Sequence, residues 1–302
     1  MSEPAPLLPA EDDAALLDRA LGDRDWMILP PGCRASRFAA PSGSLAVISM
    51  GDPTNPRIVL VPGATGSKED FILVMPLLVA AGYFVESYDL AGQYESAGAG
   101  PAHGHYDYEL FTADMVAFLE AGVTPAHLLG YSFAGTIAQL VLTRRPELVA
   151  SLTLLGCPPE PGHAYRGIPV LGHLSRRLTP RQGAGLMIWG VRTNKNRVPP
   201  GRLRLARHRF AYTRRSSVDD IIGLMAETPD LRSAVRASGV PVLVAAGARD
   251  LWPARLQRDF AAAIGARLAL YDTGHSPCET TPHQLARDII ELCSDADAAQ
   301  EP

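Results

Sequence analysis

A serine, an aspartate and a histidine occur along the chain in an order that suits nucleophilic catalysis. Ser132 stands in the segment GYSFAG, which begins at Gly130, and Asp250 and His275 follow it. A serine hydroxyl is a weak nucleophile near neutral pH, so it needs a positioned base, and the base needs a third group that fixes its tautomer. These residue types, in this order, are therefore candidates for attack on a carbonyl carbon.

The surroundings of Ser132 favour this interpretation. GYSFAG falls where a buried strand pattern gives way to a helix pattern. In a nucleophile elbow the serine occupies a strained strand-to-helix turn, and the residues two before and two after it must be small because they approach each other. Gly130 and Ala134 meet that requirement, although Ala134 replaces the second glycine of the strict G-x-S-x-G pattern. The alternative is a small residue at a tight turn that has no chemical role.

An alternation of strand and helix patterns indicates how these residues are positioned. A hairpin is predicted over 36–49, and the apolar runs that follow it are typical of strands buried on both faces. The predicted strands are 56–63, 83–89, 126–131, 151–156, 240–247 and 266–272, and the predicted helices are 69–81, 106–121, 133–145, 253–264 and 282–293. This pattern predicts the α/β fold class, with a mostly parallel, doubly wound sheet and an N-terminal antiparallel hairpin. Ser132, Asp250 and His275 each follow a predicted parallel strand, and open α/β sheets place their sites at that edge.

The composition divides the chain into five predicted segments, of which the one at 157–239 is the most unusual. It has no strand pattern, and it holds 15 of the 28 basic residues against 5 of the 32 acidic residues. We interpret it as a helical cap inserted on the sheet. Its arginines are either a solvated face or a means of attracting an anionic ligand, such as a carboxylate or an acyl group on a phosphorylated carrier. The segments are an acidic extension (1–30), the first part of the core domain (31–156), the cap (157–239), the second part of the core domain (240–293) and an acidic tail (294–302).

Five motifs taken together give the chain a resemblance to the α/β-hydrolase fold family. They are VLVPGATGS, YDLAGQYES, GYSFAG, GARDLWP and TGHSPCETTP, and the resemblance covers about residues 36–293. It implies that Ser132 is the nucleophile, that His275 is the general base and then the general acid, and that Asp250 orients His275. The cap then lies where that family carries an insertion.

The family also implies an oxyanion hole made of two backbone N–H groups. One is the N–H of Phe133 at the start of the helix after Ser132, where the helix dipole also favours negative charge. By resemblance, the second is the N–H of Ala64. The chain departs from the family here, because Pro62-Gly63 stands where a His-Gly pair is usual. A backbone donor can survive that change, but the support that the family's histidine gives to this loop is missing.

Other residues offer weaker candidates for the same roles. Glu160 and Asp272 are rival acids, and both rank below Asp250. His103 and His105 flank Gly104 in a glycine-rich loop, and they have no partner at metal-ligand spacing, so we expect them to be solvated or to pack in that loop. Two cysteines near the motifs, Cys157 and Cys278, are expected to be packing residues.

The overall composition excludes several classes of protein. A net charge of −4 over 302 residues, with 47% hydrophobic residues, is typical of a globular chain and argues against nucleic acid as a partner. The longest apolar run is interrupted by Pro76 and Gly82, so no membrane span is predicted. The N-terminus does not resemble a secretory signal, and the four scattered cysteines suit reduced thiols, so we expect a cytoplasmic protein.

The leading hypothesis is a serine hydrolase that cleaves a carboxylic ester, a thioester or a related acyl compound without metal or organic cofactor. Its expected partner is a small-molecule acyl substrate, with an anionic substrate as one alternative, and the sequence leaves the oligomeric state open. A cofactor-free lyase or a perhydrolase could use the same three residues, because fold and triad do not fix the reaction. A ligand-binding protein that has lost turnover is the non-enzyme alternative. Dehalogenase and epoxide hydrolase chemistry is disfavoured, because those relatives use an aspartate at the position of Ser132.

Overall fold

The computed structural model describes residues 12–164, 182 and 198–299, and it contains one sheet of eight strands. The strands are short, and those in the middle of the sheet consist mostly of apolar residues and are buried on both faces. Such continuous apolar strands are expected where helices cover both sides of a sheet. The strands are β1 (Arg34–Ala40), β2 (Gly43–Met50), β3 (Arg57–Val61), β4 (Phe84–Tyr88), β5 (Ala126–Tyr131), β6 (Val149–Leu155), β7 (Val242–Gly247) and β8 (Arg267–Tyr271).

The strand order is β1-β2-β4-β3-β5-β6-β7-β8. β1 pairs with β2 and β2 pairs with β4 in antiparallel fashion, and every other neighbouring pair is parallel. The predicted mostly parallel sheet with an N-terminal hairpin is therefore confirmed. Because β3 and β5 to β8 all run in one direction, the loops that follow them meet at a single edge of the sheet.

Helices flank the sheet, and the five helices that the sequence analysis predicts individually are all present. They are α1 (Asp13–Arg19), α2 (Met75–Ala80), α3 (Tyr108–Glu120), α4 (Phe133–Arg144), α5 (Pro200–Tyr212), α6 (Arg215–Leu224), α7 (Arg232–Ala237), α8 (Ala254–Ile264), α9 (Pro277–Thr280) and α10 (Pro282–Ala298).

Two helices differ from the prediction in their bounds. The helix predicted over 69–81 is a 3-10 turn at Lys68–Phe71 followed by α2. Pro76 lies in the first turn of α2, where a missing N–H is tolerated, whereas a continuous helix would require that N–H as a donor. The last helix continues through Ala298, past the boundary predicted at 293, because Ala296 is still buried against the core.

The N-terminal segment packs against the end of the chain. The carboxylate of Asp18 in α1 accepts hydrogen bonds from the backbone N–H groups of His283 (2.8 Å) and Gln284 (3.2 Å) in the first turn of α10. Four backbone donors at a helix start have no partner within the helix, so an acceptor there stabilises it. α1, which lies in the predicted acidic extension, therefore attaches that segment to the start of α10.

Two apolar cores form on the two faces of the sheet. Alternate residues of a strand point to opposite faces, so on β5 Leu128 belongs to one core and Leu129 to the other. The segment predicted to be a cap contributes α5, α6 and α7, and its residues 165–181 and 183–197 lie outside the described residues. In the described ranges, no helix is long and apolar enough to cross a bilayer.

Candidate active site

Ser132 lies on a strained turn between β5 and α4. Its φ is +52°, a left-handed conformation that a side chain other than glycine rarely adopts. The turn requires Gly130, because a Cβ atom there would lie 2.5 Å from the carbonyl oxygen of Ala134. The methyl group of Ala134 itself is fully buried without such a conflict. This geometry lifts the hydroxyl of Ser132 from the sheet edge, and the side chain is 7% exposed.

His275 connects Ser132 to Asp250. Its Nδ1 lies 2.6 Å from Asp250 Oδ1, and its Nε2 lies 3.3 Å from Ser132 Oγ. A carboxylate cannot donate, so Nδ1 carries the proton toward Asp250, and Nε2 is left as an acceptor facing the hydroxyl. The arrangement can therefore remove a proton from Ser132 and hold the resulting imidazolium beside a fixed negative charge.

Asp250 is buried, whereas His275 is partly open to solvent. The Asp250 side chain has no exposed surface, and that of His275 is 27% exposed. Oδ1 of Asp250 also accepts the N–H of Leu251. Oδ2 is buried and accepts no hydrogen bond from the described residues. Asp250 therefore aims one oxygen at the imidazole while the backbone of its own loop helps to hold that oxygen.

The backbone around His275 is held by a residue next to Ser132. The hydroxyl of Tyr131 donates to the carbonyl oxygen of His275 (3.0 Å), and it lies 2.9 Å from Oγ of Ser276. Burial raises the pKa of Tyr131 well above 10, so the hydroxyl keeps the proton that it donates. A Cβ atom on Gly247 would lie 1.9 Å from the carbonyl oxygen of Gly274. The histidine loop therefore packs directly on the end of β7.

Neither rival acid takes the place of Asp250. The side chain of Asp272 is 90% exposed and pairs with Arg249. Glu160 follows β6 and is partly buried, but the carboxylate that is hydrogen-bonded to the His275 ring belongs to Asp250.

The loop after β3 packs against Ser132. A Cβ atom on Gly63 would lie 2.8 Å from the Cβ of Ser132 and 3.0 Å from the carbonyl oxygen of Tyr131. Ala64 is the residue after this contact, and Thr65 follows with a φ of +59°. Phe133 is the first residue of α4, so its N–H has no acceptor within the helix. The loop after β3 and the start of α4 therefore both adjoin Ser132.

Two buried side chains that we did not single out in the sequence support this loop. Oε1 of Gln93 accepts the N–H of Thr65 (3.2 Å), and Nε2 of Gln93 donates to Oγ of Ser217 on α6 (2.6 Å). Oδ2 of Asp70 accepts the N–H of Ser67 (3.2 Å). Gln93 lies in the motif YDLAGQYES, so the sequence analysis had identified this loop. No periodicity in the sequence distinguishes this buried glutamine from a solvated one.

A buried lysine at the far end of the loop after β3 pairs with Asp89, the residue that follows β4. Nζ of Lys68 lies 2.7 Å from Glu69, 3.3 Å from Asp89 and 2.8 Å from Glu95. Burial raises the pKa of Asp89 to about 7, although the charge of Lys68 opposes that shift. The backbone N–H of Lys68 also donates to Oδ1 of Asp89 (2.8 Å).

Two arginines of the cap segment point into the protein. Arg202 and Arg209 on α5 are 6% and 8% exposed, and each lies 2.7 Å from Oδ1 of Asp70. Arg202 also lies 2.5 Å from Oε1 of Glu279. For these two residues the expectation of a solvated arginine face is wrong, because core carboxylates neutralise them.

A second serine, histidine and aspartate meet at the opposite edge of the sheet. His127 Nδ1 lies 2.9 Å from Ser151 Oγ, and its Nε2 lies 3.1 Å from Oδ1 of Asp297. Ser151 stands within β6 and is 1% exposed, and burial lowers the pKa of His127. A substrate cannot reach this serine, so the cluster attaches α10 to the strands.

The remaining candidates do not form a further site. His105 is 86% exposed and lies 3.2 Å from Asp220, and His103 is exposed as well. Among residues 12–164, 182 and 198–299, no cluster of three histidine, cysteine or acidic side chains could hold a metal ion. Cys157 and Cys278 are fully buried, and burial raises the pKa of both thiols.

Comparison with known proteins identifies the family of the chain. A family model described as the alpha/beta hydrolase family matches residues 58–288. Rhodomycin D methylesterase DnrP of Streptomyces peucetius is 32% identical over 111 residues, which are 35% of this chain and 36% of that protein. Bifunctional epoxide hydrolase 2 of Rattus norvegicus is 30% identical over 141 residues, which are 44% of this chain and 25% of that protein. The matched segments thus span only about a third or a quarter of these relatives.

A solved structure shows the same fold over most of the chain. The thioesterase domain from the curacin biosynthetic pathway aligns with a TM-score of 0.64 and 17% identity, covering 85% of this chain and 99% of that domain. At this identity the likeness concerns the fold alone. The match of the family model extends from β3 into α10, and it includes Ser132, Asp250 and His275. The chain is a member of the alpha/beta hydrolase family.

Proposed function

We propose that the protein is a serine hydrolase that cleaves a carboxylic ester, a thioester or a related acyl compound. The observation that carries this proposal is the chain of contacts from Asp250 Oδ1 through His275 to Ser132 Oγ, with distances of 2.6 Å and 3.3 Å. Ser132 is also the one member of the triad with a strained backbone, as expected for a nucleophile presented at an elbow.

The first half of the reaction forms an acyl-enzyme. Ser132 Oγ attacks the carbonyl carbon of the substrate while its proton moves to Nε2 of His275. The carbonyl oxygen becomes negative, and the N–H groups of Phe133 and Ala64 stabilise it. When the tetrahedral intermediate collapses, the bond to the leaving group breaks, and the proton on Nε2 moves to the leaving oxygen or sulfur.

The second half releases the acid. A water molecule gives a proton to His275 Nε2 as its oxygen attacks the acyl carbon. The second intermediate collapses, and the proton returns to Ser132 Oγ. Asp250 stays ionised throughout and holds His275 in the productive tautomer. Hydrolase chemistry suits the named relatives, which include a methylesterase.

The epoxide hydrolase among the relatives does not shift this proposal. Serine, not aspartate, stands at the elbow of this chain, and a serine elbow favours acyl transfer. The non-catalytic alternative depended on the missing histidine before Gly63. Gln93 and Asp70 provide other supports for that loop, so this argument loses weight.

Labelling with a fluorophosphonate probe tests the proposal. We expect covalent labelling of the wild-type protein, no labelling of Ser132→Ala, and hydrolysis of p-nitrophenyl acetate only by the protein that is labelled. Labelling that persists in Ser132→Ala would contradict the assignment. Product analysis of an ester panel, with and without peroxide, separates a hydrolase from a perhydrolase or a lyase.

A series of esters with increasing acyl length then defines the substrate class. Run at low and high salt, it also tests the idea of an anionic substrate, because salt screens attraction between exposed charges over about 10 Å. A rate that is independent of salt for a carboxylate-bearing ester would contradict electrostatic recognition by the cap.

A further inference from the structure

Arg202 of the cap segment lies between the two loops that carry the proposed chemistry. Its Nη2 lies 2.7 Å from Oδ1 of Asp70 and 2.5 Å from Oε1 of Glu279. Asp70 ends the loop that begins at Gly63, and Glu279 follows His275 by four residues. One guanidinium group therefore connects the oxyanion loop with the histidine loop.

At the first end, Asp70 holds the turn beside Ala64. Its Oδ1 accepts from Arg202, and its Oδ2 accepts the N–H of Ser67. A Cβ atom on Gly66 would lie 2.6 Å from Oδ2, so the turn is in contact with the carboxylate. Burial opposes ionisation of Asp70, but the charges of Arg209 and Arg202 prevail, so its pKa lies below the usual value. The turn is thus fixed by an ionised group that depends on the cap.

At the second end, Glu279 fixes the segment after His275. It lies in α9, and its N–H donates to the carbonyl oxygen of Ser276 (3.0 Å). Tyr131 holds the carbonyl oxygen of His275 from the other side. The histidine backbone is therefore held between the elbow and the cap arginine.

The N-terminal segment holds Arg202 from behind. The guanidinium group lies 5.0 Å from the ring centre of Trp26, a distance suited to a cation–π contact. The carboxylate of Asp23 accepts the N–H of Gly201 at the start of α5 (3.0 Å). Arg202 is thus confined by contacts from the N-terminal segment as well as from the core.

This arrangement is not the one that stability alone would favour. Nη1 of Arg202 is buried and finds no acceptor among the described residues, and buried ion pairs are often no more stabilising than apolar residues of similar size. What the arginine provides is a fixed distance between two loops that belong to distant parts of the chain. An apolar residue could fill the space but could not bind both carboxylates.

We propose that Arg202 is a positioning residue, which sets the oxyanion loop and the histidine loop at the separation that the reaction needs. This inference rests on the proposed function. Small displacements of reacting groups cost about 10²-fold in rate, so the position of α5 is coupled to turnover. On this proposal, a residue of the cap segment helps to complete the site.

The test compares Arg202→Met and Arg202→Lys with Arg204→Met, a matched control on the same helix. Arg204 is 60% exposed, and its ion pair with Asp25 is long, at 3.6 Å. With p-nitrophenyl acetate, whose acetyl group is too small to need the cap, we expect Arg202→Met to lower kcat roughly 10- to 100-fold. We expect KM to stay within about threefold, because Arg202 is 6% exposed and its guanidinium group is paired with Asp70 and Glu279. We expect Arg202→Lys to recover part of kcat. The rate of fluorophosphonate labelling should fall in parallel.

A second readout does not depend on activity. Hydrogen exchange of residues 62–71 and 273–281 should become faster together in Arg202→Met and stay unchanged in Arg204→Met. Glu279→Gln should reproduce part of the effect, and the double variant with Arg202→Met should lose less than the sum of the single losses, because the two residues act as one unit. If Arg202→Met does not fold, Arg202→Lys and Glu279→Gln carry the test.

Three outcomes would overturn the inference. They are an unchanged kcat in folded Arg202→Met, a change in KM alone, and faster exchange at only one of the two loops. A wild-type protein that is neither labelled nor active contradicts the proposed function instead, and the exchange measurement still decides whether Arg202 joins the loops.

Discussion

The N–H of Thr65 donates to the side-chain oxygen of Gln93 across 3.2 Å, so the loop after β3 is held by the loop after β4. Gln93 is fully buried, and its amide nitrogen reaches Ser217 of α6. Thr65 directly follows Ala64, whose N–H we propose as an oxyanion donor. The glutamine therefore occupies the place of the support that the sequence lacks before Gly63.

Replacement of Gln93 by Met should impair turnover. Methionine fills a similar volume but accepts no N–H, so the turn at Thr65 loses its anchor, and the buried N–H is left without its acceptor on Gln93. Loss of an oxyanion donor costs about 10²–10³ in kcat, and we expect a misplaced donor to cost roughly tenfold or more. Steady-state kinetics with p-nitrophenyl acetate measure this. Ser217→Ala removes the second bond of Gln93 and the bond that Ser217 Oγ donates to the carbonyl oxygen of Ala91 (3.1 Å), but it leaves the bond to Thr65 in place and should have a smaller effect. An equal loss in both variants would assign the effect to the cap instead.

Asp250→Asn should lower kcat by roughly 10⁴-fold while leaving the fold intact. An asparagine amide donates toward Nδ1 of His275, which favours the tautomer whose Nε2 carries a proton and cannot accept one from Ser132. Asp272→Asn is the control, because Asp272 is exposed and pairs with Arg249. Both variants are assayed for p-nitrophenyl acetate hydrolysis and for thermal unfolding. A larger loss in Asp272→Asn than in Asp250→Asn would reverse the assignment of the acid.

The three side chains that meet at the candidate site could be singled out from the sequence because each follows a local pattern. A buried strand followed by a small-residue turn identifies Ser132, and the ends of two later strands identify Asp250 and His275. The parallel sheet then brings these three ends to one edge. The fold class follows from the same alternation of strands and helices.

The supports of the site could not be predicted, because no local pattern marks either partner of these long-range contacts. Arg202 and Asp70 are 132 residues apart, and Gln93 and Ser217 are 124 residues apart. No periodicity marks a buried arginine among 15 basic residues of one segment. The direction in which α5 faces depends on packing against Trp26 and the core, which only the folded chain defines.

Ser151→Ala should leave fluorophosphonate labelling and ester hydrolysis unchanged. Ser151 has the same kind of histidine and aspartate neighbours as Ser132, but it lies in regular β6 and is 1% exposed. We therefore expect contact with a histidine to be insufficient without the strained turn and the proposed oxyanion donors. Labelling is measured by mass spectrometry of the labelled peptide, with Ser132→Ala as the paired variant. Label found on the peptide that contains Ser151 would contradict this distinction.

The cluster around His127 should make the protein less stable in mild acid. Burial lowers the pKa of His127 below 6.5 despite the neighbouring Asp297. Between the folded-state pKa and 6.5 the unfolded chain binds the proton and the folded chain does not. The free energy of unfolding therefore falls as pH decreases through that interval, by at most about 1.4 kcal/mol per pH unit. The stabilisation that is lost is that provided by the neutral histidine, which is hydrogen-bonded to Ser151 and holds α10.

Urea unfolding of the wild-type protein and of His127→Gln at pH 7.5, 6.5 and 5.5 measures this contribution. Buried carboxyls such as Asp89, whose pKa is raised to about 7 by burial, have the opposite pH dependence, but they are present in both proteins. Their effect cancels in the difference, so the stability advantage of the wild type over His127→Gln should shrink as the pH falls. His105→Gln, which replaces an 86% exposed histidine, should show no such trend. An advantage that is constant or grows toward pH 5.5 would mean that His127 is protonated in the folded protein and that its contact with Asp297 is an ion pair.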